Sequence, residues 1–238
     1  MYDYIIIIPY RNRQSQLEKF ITETVPLFQK ILKSFKVVIV EQADGKLFNR
    51  GSLLNIGFVE YKKHAKWFFN HDVDYYPTET CIEQYYLNTP PNELDKTDNV
   101  IGFVGIITPP CDTLGTIIKF HGDYFERCNG YPNNFWGWGV EDKALQNRVE
   151  LFNIPIKKIF YHNSPNIKDF FQMRDDIDDR ILDHVFQQKT NFEYHIFKVL
   201  TISQKLEHSS KSGLNNLVYH IISRRSVGEW VDIIKVDL

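Results

Sequence analysis

Ile5-Ile6-Ile7-Ile8-Pro9-Tyr10-Arg11-Asn12-Arg13 is the stretch that sets the architecture. Four consecutive β-branched residues with no polar member predict a strand buried on both faces, as in a parallel sheet covered by helices. Pro9 is expected to stop the strand and Tyr10 to Arg13 to form a loop. The unit then repeats. Lys36 to Val40 is a second buried strand leading into Glu41-Gln42 and a polar turn, and Phe48-Asn49-Arg50 opens a helix through about His64. Lys66 to Asn70 is a third strand, ending at His71-Asp72-Val73-Asp74. Between the first two, Leu17, Phe20, Ile21, Thr24 and Phe28 keep helical spacing, with Pro26 expected to kink or end the first piece. Three rounds of strand, loop and helix predict an α/β fold with a doubly wound, mostly parallel sheet and flanking helices.

Further along, residues 88 to 99 read as a surface loop, Val100 to Thr108 as a strand and Pro109 to Asp112 as a turn. Thr113 to Phe120 is β-rich. A helix is expected from about Glu141 to Phe152, and a strand over Ile156 to Phe160. Residues 163 to 212 are polar and carry the charge run Arg174 to Arg180, which suits a helical excursion or lid more than a second domain. A helix near Gly213 to Arg224 and a strand at Trp230 to Val236 are expected to follow. The 238 residues thus form a single domain, 1–238, within the size that one α/β domain reaches.

Composition narrows the function classes. A net charge of -2 gives no case for nucleic-acid or anionic-membrane binding. Cys81, Cys111 and Cys128 are odd in number and have no CxxC spacing, so neither a disulfide framework nor a zinc site is indicated. The Ile run is too short for a signal peptide, and no apolar stretch reaches the ~18 residues of a membrane span. A soluble, cytoplasmic chain is the expectation.

In open α/β sheets ligands sit beyond the carboxyl ends of the strands, where Pro9–Arg13, Phe48–Arg50 and Asp72–Asp74 all fall. Two carboxylates in Asp72-Val73-Asp74 are expected on one side of the strand end, because side chains two apart point the same way. That arrangement suits a hard divalent cation shared with a diphosphate; two solvated acids in a turn are the bland alternative. Arg11, Arg13 and Arg50 offer guanidinium groups to phosphates or a pyrimidine, and Phe48 offers a ring face for a base. His162, at the end of a strand, offers a nitrogen ligand that favours manganese. The segment Asn129 to Asp142, NGYPNNFWGWGVED, forms neither regular helix nor strand and reads as an aromatic wall ending in Glu141 and Asp142. Together these parts describe a site for a nucleotide sugar and an acceptor sugar.

The sequence resembles the beta-1,4-galactosyltransferase family (glycosyltransferase family 7). The matching pieces keep the family's order: IIIIPYRNR at 5–13, VVIVEQ at 37–42, FNRGSLLNIGF at 48–58, HDVD at 71–74, NGYPNNFWGWGVED at 129–142 and SGLNNLVY at 212–219. The resemblance implies a GT-A fold and an inverting transferase that uses a UDP-sugar and Mn2+, with Mg2+ as substitute. It implies that Pro9, Arg11, Arg13, Phe48, Arg50, Asp72 and Val73 line the donor site, and that Asp74 and His162 hold the metal. Trp138 would bridge donor and acceptor, Glu141 would contact sugar hydroxyls, and Asp142 would be the catalytic base. A glycan acceptor and a β-linked product follow from the same resemblance.

Several positions depart from the family. Its acidic run after GWG is longer, whereas Lys143 and Ala144 follow Asp142 here, so an acceptor-binding carboxylate is missing. Thr113-Leu114-Gly115-Thr116 stands where galactose-specific members have Tyr-Phe-Gly-Gly, which leaves UDP-Gal, UDP-GalNAc and UDP-Glc all open. The third metal ligand usual just before His162 is replaced within Ile159-Phe160-Tyr161. The 163–212 segment is longer than the family's mobile lid. The family's usual anchor and stem are not among these residues, so either a native soluble enzyme or a trimmed catalytic domain is expected, with a Golgi-like lumen in the second case. A relative that binds sugars or nucleotide sugars without catalysis is the rival reading, and a donor hydrolase a third.

Overall fold

Tyr4–Tyr10 forms β1 and runs parallel to two neighbours, β2 (Phe35–Gln42) and β3 (Trp67–His71). These are the three strands foreseen from the apolar runs. The computed structural model describes residues 1–87, 102–107, 113–137, 139–160, 171–172, 195 and 197–238. The loop expected over 88–99, the turn over 109–112, the charge run 174–180, Cys111, Trp138 and His162 lie outside the described residues.

Alternate residues of β1 serve two separate cores. Ile6 and Ile8 join Leu17, Phe20 and Phe28 on one face, while Ile5 and Ile7 join Leu53, Leu54 and Phe58 on the other. This double burial is why the strand has no polar position. The first core is roofed by α1 (Gln14–Lys19), a π-turn over Phe20–Thr24, and α2 (Val25–Ile31). Pro26 sits in the first turn of α2, so the break expected there takes the form of a π-turn just ahead of it. The second core is roofed by α3 (Arg50–Tyr61), which approaches β1 closely at Gly57. A Cβ at Gly57 would stand 2.3 Å from Ile7 Cγ2.

Strand β1 does not end at Pro9 but continues to Tyr10, with Pro9 opposite Val40 of β2. The β1–β3 ladder stops at Ile7, so Pro9 has a strand on one side only, the kind of edge position that a residue without an N–H tolerates.

After β3 come the short β4 (Tyr76–Pro77), α4 (Glu79–Cys81) and a π-turn over Ile82–Leu87. Then follow β5 (Phe103–Ile107), β6 (Ile117–His121), α5 (Gly122–Arg127), α6 (Glu141–Leu151) and β7 (Ile156–Phe160). β8 (Phe171–Gln172) pairs with β4, and α7 (Ile202–Ser210), β9 (His220–Val227) and β10 (Val231–Asp237) close the described chain. The main sheet has eight strands in the order β7-β5-β6-β3-β1-β2-β10-β9. It is mostly parallel, with antiparallel pairs β3–β6, β5–β6 and β9–β10.

The helix expected near Gly213 to Arg224 is not formed. A 3-10 turn at Leu214–Asn216 is followed by β9, which pairs antiparallel with β10 across a turn where Gly228 has φ 63°. β9 has a single neighbour and is largely exposed, so it lacks the apolar alternation by which a strand is recognised. Of the 163–212 segment, α7 is capped by Thr201 and tied down at its end. Asn129 Nδ2 donates to Ser209 O at 2.9 Å, and Arg148 Nη2 to Ser212 O at 2.6 Å. Among the described residues no helix is long and apolar enough to cross a membrane.

Candidate active site

The loops after β1, β2 and β3 and the first turn of α6 meet at one edge of the sheet, and Arg50 is the residue at which they join. Asn49 caps α3 by accepting Ser52 N–H at 3.0 Å, which fixes Arg50 as the first helical residue. Arg50 Nε donates to Asp72 Oδ1 at 2.8 Å, and Arg50 Nη1 lies 3.4 Å from Glu141 Oε1. Asp72 and Glu141 hold the guanidinium charged against the cost of its burial. Arg50 thereby links the strand-end acid to the wall acid.

The two aspartates of 72–74 do not share a strand face. β3 ends at His71, and the chain turns, with Tyr75 N–H donating to Asp72 O at 3.3 Å, so the two-residue alternation no longer holds. Asp72 goes to Arg50, while Asp74 faces Arg13 with Oδ2 3.7 Å from Nη1. Val73 between them is buried in the first core. His71 is buried beneath the turn with Nδ1 2.7 Å from Asp72 O, and burial lowers its pKa to about 4, so it remains neutral.

Arg11 lies with its guanidinium carbon 5.3 Å from the centre of the Phe48 ring and donates to Lys46 O. Phe48 is half-buried, and its carbonyl accepts Gly137 N–H at 2.8 Å, which joins the start of α3 to the wall. Arg13 Nη1 and Arg50 Nη2 are buried nitrogens with no hydrogen-bond partner among the described residues. Two such donors at a strand-end cleft fit an anionic ligand.

Buried amides hold the wall. Asn55 receives Tyr131 N–H at 2.9 Å and returns a bond to Tyr131 O at 2.8 Å. Asn49 donates to Asn133 O at 2.8 Å, and Asn133 donates to Gly213 O at 2.8 Å. This lattice was not foreseen. Its signal was an amide, Asn55, in the apolar face of α3, and an Asn-rich run in each of the two segments it joins.

Glu141 and Asp142 open α6. Burial, with Asp142 next to it, pushes the Glu141 pKa up to about 7, while Arg50 opposes that rise. Asp142 Oδ1 accepts Lys143 N–H at 2.7 Å, and Oδ2 accepts the Thr113 hydroxyl. Thr113 was noted in the sequence for its size and not as a partner of Asp142; no local pattern announces a contact across 29 positions.

Asp74 is the one described member of the expected metal pair. It is partly exposed, 28% for the side chain, and its Oδ2 lies 3.7 Å from Arg13 Nη1. Among the described residues no three His, Cys, Asp or Glu side chains form a metal-binding group.

Residues 1–86 match the N-terminal region of glycosyl transferase group 7, and residues 107–174 match the N-terminal domain of galactosyltransferase. Human beta-1,4-galactosyltransferase 4 is 34% identical over 155 residues, which cover 64% of this chain and 44% of that protein. Human beta-1,4-galactosyltransferase 6 is 35% identical over 147 residues, covering 60% of this chain and 37% of that one. The chain thus matches less than half the length of these curated relatives. A mutant of Drosophila beta-1,4-galactosyltransferase 7, solved with manganese, UDP-Gal and xylobiose, superposes with a TM-score of 0.72 and 22% identity. That superposition covers 100% of this chain and 94% of the Drosophila one, and the fold is of the GT-A type. With two family matches in tandem over most of its length, the chain belongs to the beta-1,4-galactosyltransferase family, glycosyltransferase group 7.

Proposed function

We propose that this protein is an inverting glycosyltransferase that moves a hexose or N-acetylhexosamine from a UDP-sugar to a glycan hydroxyl. The observation that carries this reading is the Arg50 bridge between Asp72 and Glu141, with buried nitrogens of Arg50 and Arg13 beside it that make no hydrogen bond among the described residues. The donor's diphosphate would meet those nitrogens and the strand end at Pro9 and Val73, and its base the Phe48 face beside Arg11. Asp74 and His162 would hold a divalent cation, manganese before magnesium, which supplies charge neutralisation to the departing diphosphate. The galactosyltransferases to which the chain is similar support galactose as one donor, and UDP-GalNAc and UDP-Glc stand beside it.

Asp142 would take the proton of the acceptor hydroxyl as that oxygen bonds to the anomeric carbon. The anomeric carbon–oxygen bond to UDP breaks in the same step, and UDP leaves with the bonding pair. Attack from the face opposite UDP turns an α-linked donor into a β-linked product. Glu141, tied to Arg50, would bind sugar hydroxyls, and Trp138 would bridge donor and acceptor. Lys143 and Ala144 in place of further acids favour an acceptor other than the family's usual one. Residues 163–212 would form an extended lid or acceptor-binding excursion, and the end of α7 within it is bonded to the wall.

The test is a calorimetric titration of UDP-Gal, UDP-GalNAc and UDP-Glc with and without manganese, paired with UDP release on added acceptor. Manganese-dependent binding and transfer are expected, and Asp142→Asn should keep UDP affinity while kcat falls roughly 100-fold or more. Asp74→Ala should abolish the manganese dependence. A protein that binds a donor without ever releasing UDP would be a recognition module, and an active Asp142→Asn enzyme would refute the base.

A further inference from the structure

Thr113 lies just ahead of β6, and Asp142 lies in the first turn of α6, yet their side chains are bonded to each other. The segments that carry them are held in register from below. Leu114 is fully buried in the same core as Leu145 and Val149 of α6, and Gly115 N–H bonds Thr113 O at 2.8 Å to stiffen the turn. Thr113 itself is 4% exposed, and its hydroxyl donates to Asp142 Oδ2. The other oxygen, Oδ1, takes the Lys143 N–H. With one donor on each oxygen, rotation of the carboxylate about its last bond is stopped, and the remaining lone pairs of both oxygens face a fixed direction.

We propose that Thr113 is a positioning residue of this site: its hydroxyl fixes the Asp142 carboxylate in the orientation that receives the acceptor's proton. This rests on the role given above to Asp142. A base must lie within hydrogen-bond reach and along the line of the proton it removes. In a chain with a short acidic run after the wall, no further carboxylate follows Asp142 in that turn to share the task. A threonine meets the requirement because its hydroxyl is short and its β-branch limits rotation.

The experiment compares Thr113→Val, which keeps the shape, with Thr113→Ser, which keeps the hydroxyl. The carbon-13 shift of the Asp142 carboxyl is read at one fixed pH, and the signal is assigned by its loss in Asp142→Asn. In Thr113→Val that signal should move, since the hydroxyl bond to Oδ2 is gone, and in Thr113→Ser it should stay. Transfer should show kcat down about tenfold or more in the Val variant at unchanged donor KM, with recovery in the Ser variant. An unmoved carboxyl signal in Thr113→Val overturns the proposal whatever the protein does with UDP-sugars. Equal loss in the two variants marks a packing role and overturns it as well. Absence of turnover by the unaltered protein would instead overturn the transferase reading, and the carboxyl signal would still decide the contact.

Discussion

Glu141 carries a carboxyl whose pKa stands near 7 against an ordinary 4.5, although a guanidinium nitrogen lies 3.4 Å away. Burial outweighs Arg50 here, and Asp142 adds to the rise. Because the folded pKa is above the unfolded one, the native state holds the extra proton between about pH 4.5 and 7. Stability contributed by that proton is full below this window and is lost as pH rises through it. Urea midpoints measured at pH 5 and pH 8 should therefore fall more in the unaltered protein than in Glu141→Gln, and parallel falls would contradict the assignment. At this scale the sequence was readable where chemistry and position coincide. Arg50 and Asp72 were singled out by type and by place after buried strands, Glu141 by its place at the end of the aromatic wall, and they meet. The Thr113 partner of Asp142 was not readable, because a contact between two segments depends on how the cores beneath them stack.

The unit that holds the wall is α3, through amides that a helix normally turns outward. Asn55→Ala would leave Tyr131 N–H and C=O buried without partners, at about 1–3 kcal/mol each. A loss of about 3 kcal/mol in urea-induced unfolding is the expected outcome, with a smaller loss for exposed Asn215→Ala. Elements were legible in proportion to their burial. The runs Ile5–Ile8 and Val37–Val40 contact core on both faces, so their composition alone announced them. β9 has one neighbour and open faces, so nothing in Ser223-Arg224-Arg225-Ser226 marked it as strand. The turn at Asp72–Asp74 was misjudged for a related reason, since the end of a strand depends on where its neighbours stop.

Across the whole molecule, the cleft is assembled from loops on four strand and helix ends that are far apart in sequence. A ligand that touches all of them is expected to raise stability by linkage. Manganese with UDP at ~100 times its Kd should add about 2.7 kcal/mol, roughly 5–10 °C in Tm for a chain of this size. UDP with a chelator should give much less, and an equal rise with and without manganese would remove the metal from the donor site. The parallel order of β1, β2 and β3 and the strand-end location of the cleft were legible at this scale. The insertion of β10 beside β2 was not, because it pairs residues nearly the whole chain apart.

That insertion has a consequence for how the protein is made. Val37 of β2 pairs with Val231 of β10, and Lys36 reaches Glu229 O at 2.8 Å and Asp232 at 2.9 Å. Until residues 229–237 have left the ribosome, β2 presents an open, apolar edge on the side that β10 fills. Contacts at such separation in sequence are slow to form, and an open edge in the interval invites pairing with another nascent chain. Production of this protein should accordingly depend on how soon β10 reaches β2, and on whatever shields that edge until it is filled.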